Sequence, residues 1–323
     1  MGTVFQNRNL ADPLTPDLLN LRTQMFEFTA LPSILSQTNQ DFSWVLIIDK
    51  DLPQQDKIRL KNSIKKKERA YLYEYDPEDK IDESCDWLKP YMSTEPNYLL
   101  TTNHDDDDLL PINFVSEMHN HLAAQHQATG LPPLKTLGCK QGLQWDLTSS
   151  REAPMGWVAD WTRRERVLSC GASLLCRYPD YPINVTMVPH ACTENCLDWS
   201  APPRNPKAAI ARAHFQKFAA RNDDSLEGIS TKETFHDLSR EVGPVLMSNH
   251  VTNVQAARLF EVKANRTPVQ GPESFPALPV DFDRYKEHAK VFEKGRRYYQ
   301  RQVQTAFRIY GKPLMYKIRN RAR

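Results

Sequence analysis

The first 130 residues alternate between strand-like and helix-like segments, and this alternation limits the folds that the chain can adopt. Segments with the apolar spacing of amphipathic helices separate four strand-like segments, which are 3–5, 42–49, 69–75 and 97–102. Strands that alternate with helices pair mostly in parallel, with helices covering the sheet. We therefore predict an α/β fold with a Rossmann-like, mostly parallel sheet flanked by helices.

Prolines mark the expected ends of several helices. Thr15 and Pro16 have the pattern of an N-cap followed by proline at the first helical position, and Pro32 is expected to kink or break that helix. Pro111 is expected to open a later helix. Weaker patterns after Gly130 predict strands over 135–138, 142–147, 172–178, 184–190 and 244–250, and a helix over 205–222.

A proline-rich segment and a basic tail follow these elements. Residues 267–282 have the composition of a linker, so we predict a catalytic domain over 1–265 and an extension over 266–323. From Arg284 onward the chain holds thirteen Lys and Arg and two acids, a charge of +11, whereas the whole chain carries +2. We expect a basic C-terminal helix that packs on the domain. Contact with an anionic membrane surface or a glycan is the alternative, and nucleic acid is less favoured.

Bulk properties disfavour several classes of protein. The longest apolar run, 44–48, is far shorter than the roughly 20 residues that span a bilayer. No basic patch followed by an apolar core opens the chain, and the six cysteines are expected to be thiols. We expect a cytoplasmic protein, with peripheral attachment to the inner membrane as the alternative.

Four consecutive aspartates, 105–108, come directly after the strand-like segment 97–102. The carboxyl end of a strand is where open α/β sheets bind ligands, and carboxylate oxygens suit Mg²⁺ or Mn²⁺. In a turn that leaves a strand, side chains i and i+2 can converge on one ion. We therefore predict Asp105 and Asp107 as metal ligands and Asp108 as an outer or water-mediated partner. A solvated acidic turn is the alternative.

The segment "TTNHDDDDLLPINFV" resembles the "TR-x-D-x-DD" segment of rhamnosyltransferase-like bacterial glycosyltransferases, which have the GT-A fold. The upstream "LRTQMFEFTALPSILSQTNQDFSW" is similar to the family's "R-xxx-FE-xxx-LPS-xxxQT" signature, and "VLMSNHVTN" is similar to a late segment with a metal-proximal histidine. The family's arginine before the acids is Asn103 here.

This resemblance implies a nucleoside-diphosphate sugar as donor and Mn²⁺ or Mg²⁺ as cofactor. It makes His250 a further metal ligand or a phosphate contact, with a hydrogen-bonded strand-end histidine as the alternative. Asp49 and Arg8 are expected to contact the donor's nucleoside or diphosphate, and Asp106 is assigned to donor binding. Arg22 either contacts the donor or pairs with Glu27.

An inverting transferase needs a base to accept the proton of the attacking hydroxyl. In the GT-A fold such a group often starts a helix well past the metal acids. Glu194 is therefore our first candidate and Asp198 our second, with an ordinary surface acid as the alternative for each. Retaining chemistry would need no such base, and the sequence does not choose between the two.

Two other clusters have weaker claims. His190, Cys192 and Cys196 share one loop and could bind zinc, although no second pair with recognisable spacing accompanies them. Histidines on the predicted helix after the acid run are expected to lie on a solvated face.

The sequence thus predicts a metal-dependent glycosyltransferase that moves a sugar to a hydroxyl of a glycan, a glycolipid or a secondary product. The alternatives are a non-catalytic module that binds a polyanion or nucleotide, and a metal-dependent phosphotransferase.

Overall fold

A computed structural model describes most of the chain up to Glu287. The described residues are 2–5, 8–9, 12–13, 16–76, 85–92, 96–147, 151–161, 167–187, 196–200, 202–203, 206–226, 234–249 and 266–287. The predicted basic C-terminal helix therefore lies almost wholly outside the described residues. Within them, no helix is long and apolar enough to cross a membrane.

Helices and strands alternate as the sequence predicts. The helices are α1 (Pro16–Phe28), α2 (Ala30–Leu35), α3 (Gln54–Ile64), α4 (Phe114–Thr129), α5 (Pro206–Arg221) and α6 (Ser239–Val242). The strands are β1 (Gly2–Phe5), β2 (Arg8–Asn9), β3 (Asp12–Pro13), β4 (Trp44–Asp49), β5 (Ala70–Tyr75), β6 (Tyr98–Asp105), β7 (Asp108–Leu109), β8 (Leu134–Gly138), β9 (Gly142–Asp146), β10 (Trp157–Asp160), β11 (Ser173–Arg177), β12 (Phe235–Asp237), β13 (Val245–Asn249) and β14 (Thr267–Pro268). Short 3₁₀ turns lie at Asp86–Tyr91, Val185–Met187 and Pro272–Ser274.

A seven-stranded sheet forms the centre of the fold, in the order β12-β8-β11-β6-β1-β4-β5. Neighbouring strands are parallel except where β11 runs antiparallel to β6 and to β8. The α/β prediction is confirmed, and the sheet is mixed rather than purely parallel. Packing explains the almost continuous apolar sequence of β4, because all six of its residues are buried.

A second sheet was not predicted as a separate unit. It has five strands in the order β14-β10-β9-β13-β7. The two-residue strand β7 follows the acid run directly and pairs antiparallel with β13, so that Leu109 lies opposite Leu246 and Asp108 opposite Met247. This pairing joins the acid run to a strand that lies far away in sequence.

Pro32 breaks the first helix at Thr29, three residues before the proline. A proline has no N–H for the carbonyl four residues earlier, and its ring crowds that carbonyl. Here that carbonyl belongs to Phe28, which is the last residue of α1. It accepts a hydrogen bond from the backbone N–H of Asp281 instead, at 3.1 Å. The helix resumes at Ala30, and Pro32 lies inside α2.

The proline-rich segment is packed rather than exposed, so the linker interpretation of 267–282 is wrong. Val269, Phe275, Leu278, Phe282 and Tyr285 are buried in one cluster with residues of α1 and β9. Proline-rich composition removes backbone donors but does not prevent apolar side chains from packing. The domain boundary at residue 265 stays a prediction.

Two further boundaries differ from the prediction. Helix α4 begins at Phe114, three residues after Pro111, and Asn113 is its N-cap. The N–H of Phe114 donates to the carbonyl of Pro111 at 3.0 Å, so a turn precedes the helix. The predicted strand over 184–190 is wrong at residues 185–187, since Val185–Met187 is a 3₁₀ turn, and residues 188–190 lie outside the described part of the chain. The side chain of Asn184 accepts bonds from the N–H and hydroxyl of Thr186, and such local bonds favour turns over strands.

Candidate metal and donor site

Three aspartates converge where β6 ends. Asp105 is the last residue of β6, the chain turns at Asp106 and Asp107, and Asp108 opens β7. One carboxylate oxygen from each of Asp105, Asp107 and Asp108 lies within 4.8 Å of the other two. In the described part of the chain, this is the one group of acids, histidines and cysteines that converges closely enough to hold a metal ion.

The remaining aspartate, Asp106, points away from this group. It is 2% exposed, and its two oxygens accept hydrogen bonds from the guanidinium of Arg22 in α1. The Nε–Oδ2 distance is 3.2 Å. Glu27, the partner that we considered for Arg22, pairs instead with Arg59 and Arg284. The Arg22–Glu27 pairing is therefore wrong.

The electrostatics of the converging carboxylates favour a cation. Burial raises the pKa of Asp108 well above its ordinary value, and the charges of Asp107 and Asp105 raise it further. The backbone of Ser248 in β13 donates to this carboxylate and partly opposes the rise. An all-oxygen set of closely spaced carboxylates is the type of site that Mg²⁺ and Mn²⁺ prefer. The residues present therefore fit a divalent cation.

Residues of α2 and the turn after it hold the segment that follows the acids. The hydroxyl of Ser33 accepts from the N–H of Leu110 at 2.8 Å. The amide of Gln37 donates to the carbonyl of Pro111 at 2.8 Å and accepts from the N–H of Val115 at 3.1 Å. The N–H of Thr38 donates to the carbonyl of Ile112 at 2.8 Å. The polar positions of "LPSILSQT" thus fasten the chain immediately after the metal acids.

The residues just before the acids also contact them. Asn103 donates through Nδ2 to Asp105 Oδ1 at 3.3 Å, so it orients a candidate ligand from the position of the family's arginine. The Nε2 atom of His104 lies 3.0 Å from the carbonyl oxygen of Asp108. Burial lowers the pKa of His104 to about 4, so this ring is neutral near pH 7.

The other predicted site residues fall into two groups. Asp49 is the last residue of β4, and β1 lies between β4 and the strand β6 that ends at Asp105. Asp198 is half-buried, and its side chain accepts hydrogen bonds from the N–H and the hydroxyl of Ser200. Arg8 lies in β2, although its side chain is outside the described part. Glu194 and His250 lie outside the described residues, and β13 ends at Asn249, one residue before His250. These roles stay predictions.

Residues 8–159 match the family described as "Putative rhamnosyl transferase". Over these residues, slightly less than half of the chain, the sequence resembles a rhamnosyltransferase-like family. The match contains α1, α2, the acid run and β9, so it includes every contact described above for Arg22, Ser33 and Gln37. The rhamnosyltransferase-like family is a family of glycosyltransferases, for which a nucleotide-sugar donor and an acceptor are the expected substrates.

Other comparisons add little. No curated protein matches the chain. One similar solved structure is a nucleoside-diphosphate-sugar pyrophosphorylase from Vibrio cholerae RC9, with 8% sequence identity over 77% of this chain and 91% of that one. The TM-score is 0.30.

The two weaker clusters have different outcomes. Of the zinc candidates only Cys196 is described, and it is buried. The histidines of α4 do not share a solvated face: His119 contacts Asn39 at 3.1 Å, and the ring of His121 stacks on His236 with 3.5 Å between ring centres. His126 alone among these three is exposed. The solvated-face prediction is therefore wrong for His119 and His121.

Sequence reasoning did not single out three residues on the sheet that contains Asp108. Gln144 and Asp146 of β9 and Trp157 of β10 lie on the second sheet, at the same level as Met247 and Asn249 of β13. The sequence contains one signal for them, since Gln144 and Asp146 are the polar residues that alternate with Leu143 and Trp145 in "GLQWD". This alternation identifies the polar face of β9, but it does not show which residues or ligands lie against that face.

Proposed function

We propose that the chain is a metal-dependent glycosyltransferase that moves a sugar from a nucleoside-diphosphate sugar to a hydroxyl acceptor. The observation that carries the proposal is the convergence of Asp105, Asp107 and Asp108 within 4.8 Å at the end of β6. The match of residues 8–159 to a rhamnosyltransferase-like family supports it. A hard divalent cation, Mn²⁺ or Mg²⁺, would be held by these three carboxylates.

The position of the acids in the sheet supports a GT-A-like interpretation of the fold. The chain runs outward from β1 through β4 to β5 and then returns to β6 on the other side of β1. Open α/β sheets bind ligands outside the carboxyl ends of the strands where the strand order reverses in this way. Asp105 lies there, in register with Val4 of β1.

The cation, when bound, would supply electrostatic stabilisation of the negative charge that develops on the departing diphosphate. Asp105, Asp107 and Asp108 would hold it, with His250 as a further ligand or phosphate contact. Asp106 would act through Arg22, because both of its oxygens are bonded to that guanidinium. This assignment replaces direct donor binding by Asp106 with a positioning role.

Asp49 and Arg8 would contact the nucleoside or diphosphate of the donor. Asp49 is 2% exposed and its Oδ1 accepts from the N–H of Asp51 at 2.9 Å, so its orientation is set by the turn after β4. Glu194, and after it Asp198, would accept the proton of the acceptor hydroxyl if the reaction inverts configuration. We further propose a cytoplasmic location, with peripheral membrane contact through the basic tail as the alternative.

A melting-shift screen tests the proposal. UDP, GDP and dTDP, each with and without Mn²⁺, are added to the full chain, and the best binder is then tested as a nucleotide sugar for hydrolysis and transfer. We expect a melting shift that needs both nucleotide and Mn²⁺, because a ligand that binds the folded state raises its stability. Asp105→Asn and Asp107→Asn should each abolish the Mn²⁺-dependent part.

Asp283→Asn is the matched control, because this carboxylate has 96% of its side-chain surface exposed and lies outside the acid run. It should leave the shift unchanged. Donor turnover by folded Asp105→Asn and Asp107→Asn at the wild-type rate would refute the metal role. Strong salt-sensitive retention on heparin without any nucleotide shift would favour a polyanion-binding module, and turnover of phosphate esters without sugar transfer would favour a phosphotransferase.

A further inference from the structure

One face of the second sheet extends from the metal acids to a half-buried aromatic residue, Trp157. Asp108 lies opposite Met247, and Met247 lies opposite Gln144, so these side chains share a face across β7, β13 and β9. Two inter-strand spacings separate Asp108 from Gln144, which is about 10 Å. Gln144 is therefore close to the metal acids although it follows them by many residues.

Two residues further along β9, the same face carries Asp146, which lies opposite Trp157 of β10. Arg266, just before β14, extends over the indole ring with its guanidinium carbon 4.2 Å from the ring centre. Its Nη1 atom is 3.9 Å from Asp146 Oδ2. A carboxylate, an aromatic ring and a guanidinium thus adjoin one another about three strand spacings, or about 15 Å, from β7.

A glycine allows two backbone segments to approach each other closely beside Trp157. Gly156, directly before Trp157, has a φ of +84°, and a Cβ there would come within 2.2 Å of the carbonyl oxygen of Asp146. No other residue type fits this approach without moving the backbone. The turn therefore requires glycine where the hairpin brings Trp157 beside Asp146.

Gln144 provides a second and independent sign of a ligand. It is 8% exposed, and its amide oxygen is buried without a hydrogen-bond partner among the described residues. An unpaired buried acceptor destabilises a fold unless a partner reaches it. Hydroxyl groups are suitable partners, because they donate one hydrogen bond and accept others.

We propose that Gln144, Asp146, Trp157 and Arg266 form the acceptor subsite and that the acceptor is a sugar ring. This inference rests on the proposed function. The indole face would pack against the C–H face of the ring, while the carboxylate and guanidinium would bind neighbouring hydroxyls. The strand spacings place this subsite about 10 to 15 Å from Asp108 on the same face of the sheet.

Saturation-transfer NMR with simple glycosides tests the proposal on the full chain. The probes are methyl α-L-rhamnopyranoside, methyl β-D-glucopyranoside and methyl β-D-galactopyranoside, in the presence of Mg²⁺ and the best nucleoside diphosphate. We expect at least one to bind, and we expect Trp157→Ala and Asp146→Asn each to weaken it about tenfold. Trp157→Phe, which keeps an aromatic face, should retain most of the binding.

Matched controls separate this subsite from the donor site and from the fold. Trp87→Ala removes a half-buried indole that contacts Tyr73 elsewhere, and Asp160→Asn changes an exposed carboxylate at the end of β10. Both should bind the glycoside like wild type. The nucleotide-dependent melting shift should be unchanged in every variant, because none of these residues is a metal acid.

Wild-type glycoside binding by folded Trp157→Ala and Asp146→Asn would overturn the proposal, and so would failure of all three probes to bind the wild-type chain. A chain that binds glycoside through Trp157 but shows no nucleotide shift would instead refute the proposed function, and the acceptor role would fall with it. The two failures are therefore distinguishable.

Discussion

Arg22 of α1 and Asp106 of the acid run form a buried ion pair across 84 positions of the sequence, with Nε of Arg22 3.2 Å from Oδ2 of Asp106. Burial alone would lower the pKa of Arg22, but the charges of Asp106, Asp107 and Asp105, together with the hydrogen bond to Asp106, outweigh it and the pKa is raised. The pair turns Asp106 away from the other three aspartates, which then face one another.

Arg22→Met should destabilise the protein by about 3–5 kcal/mol, because it leaves the buried carboxylate of Asp106 without its partner. Urea unfolding at pH 7 measures this change. The double variant Arg22→Met, Asp106→Leu should recover most of the loss, since apolar residues of similar volume can replace a buried pair.

The double variant also tests positioning. If the pair orients the acid run, the stable double variant should still bind Mn²⁺ more weakly than wild type, as measured by calorimetry. Equal Mn²⁺ affinity would limit the pair to a role in stability. A single variant Arg22→Met as stable as wild type would contradict the buried pairing itself.

Ser33→Ala should cost about 1–3 kcal/mol, because the buried N–H of Leu110 loses its acceptor. Ser36→Ala, three residues later and exposed, is the control and should stay within about 0.5 kcal/mol of wild type. Chemical denaturation of both variants under one condition measures the difference. Equal effects would show that the bond between α2 and the segment after the acids contributes little.

Phe275→Ala should cost about 3–5 kcal/mol, since Phe275 is 1% exposed and its ring centre lies 5.1 Å from that of Trp145. Ile210→Ala, at a side chain that is 61% exposed, should change stability by less than about 0.5 kcal/mol. Thermal unfolding should show one shifted transition for Phe275→Ala. A main transition that stays at the wild-type temperature would indicate that the proline-rich segment folds separately.

His121 should make stability depend on pH. Burial, together with the nearby His236 and Lys135, lowers the pKa of His121 from 6.5 to about 4, whereas Glu241 acts in the opposite direction. A folded-state pKa below the unfolded value means that folding favours the neutral ring. The associated stability is therefore present above about pH 6.5 and is lost as the pH falls towards 4.

The His121→Gln variant checks this sign. Between pH 7 and pH 5 its free energy of unfolding should fall less steeply than that of wild type, as measured by urea titrations at each pH. His126→Gln removes an exposed histidine from the same helix and should follow the wild-type curve. A wild-type slope in His121→Gln would show that His121 does not contribute to the pH dependence of stability in this range.

The sequence predicted the parts of the fold that depend on neighbouring residues. The continuous apolar run of β4 and the helical spacing of α3 and α5 correspond closely to the observed elements. Pro32 was expected to break the first helix, and the break lies at Thr29 because proline acts on the carbonyl four residues before it. The convergence of Asp105 and Asp107 followed from their spacing in a turn. The sequence made Asp108 an outer partner, whereas one of its carboxylate oxygens lies within 4.8 Å of those of the other two.

The sequence alone determined which segments become helices and strands and where the acid run lies, because periodicity, capping and turn chemistry are properties of adjacent residues. Only the tertiary structure decided that Asp106 binds Arg22, that β7 pairs with β13, and that the proline-rich segment packs on Trp145. Each of these partners was one of several that local patterns allow. The choice depends on which groups the whole fold brings together and removes from water, and that is a property of the complete packing rather than of any segment.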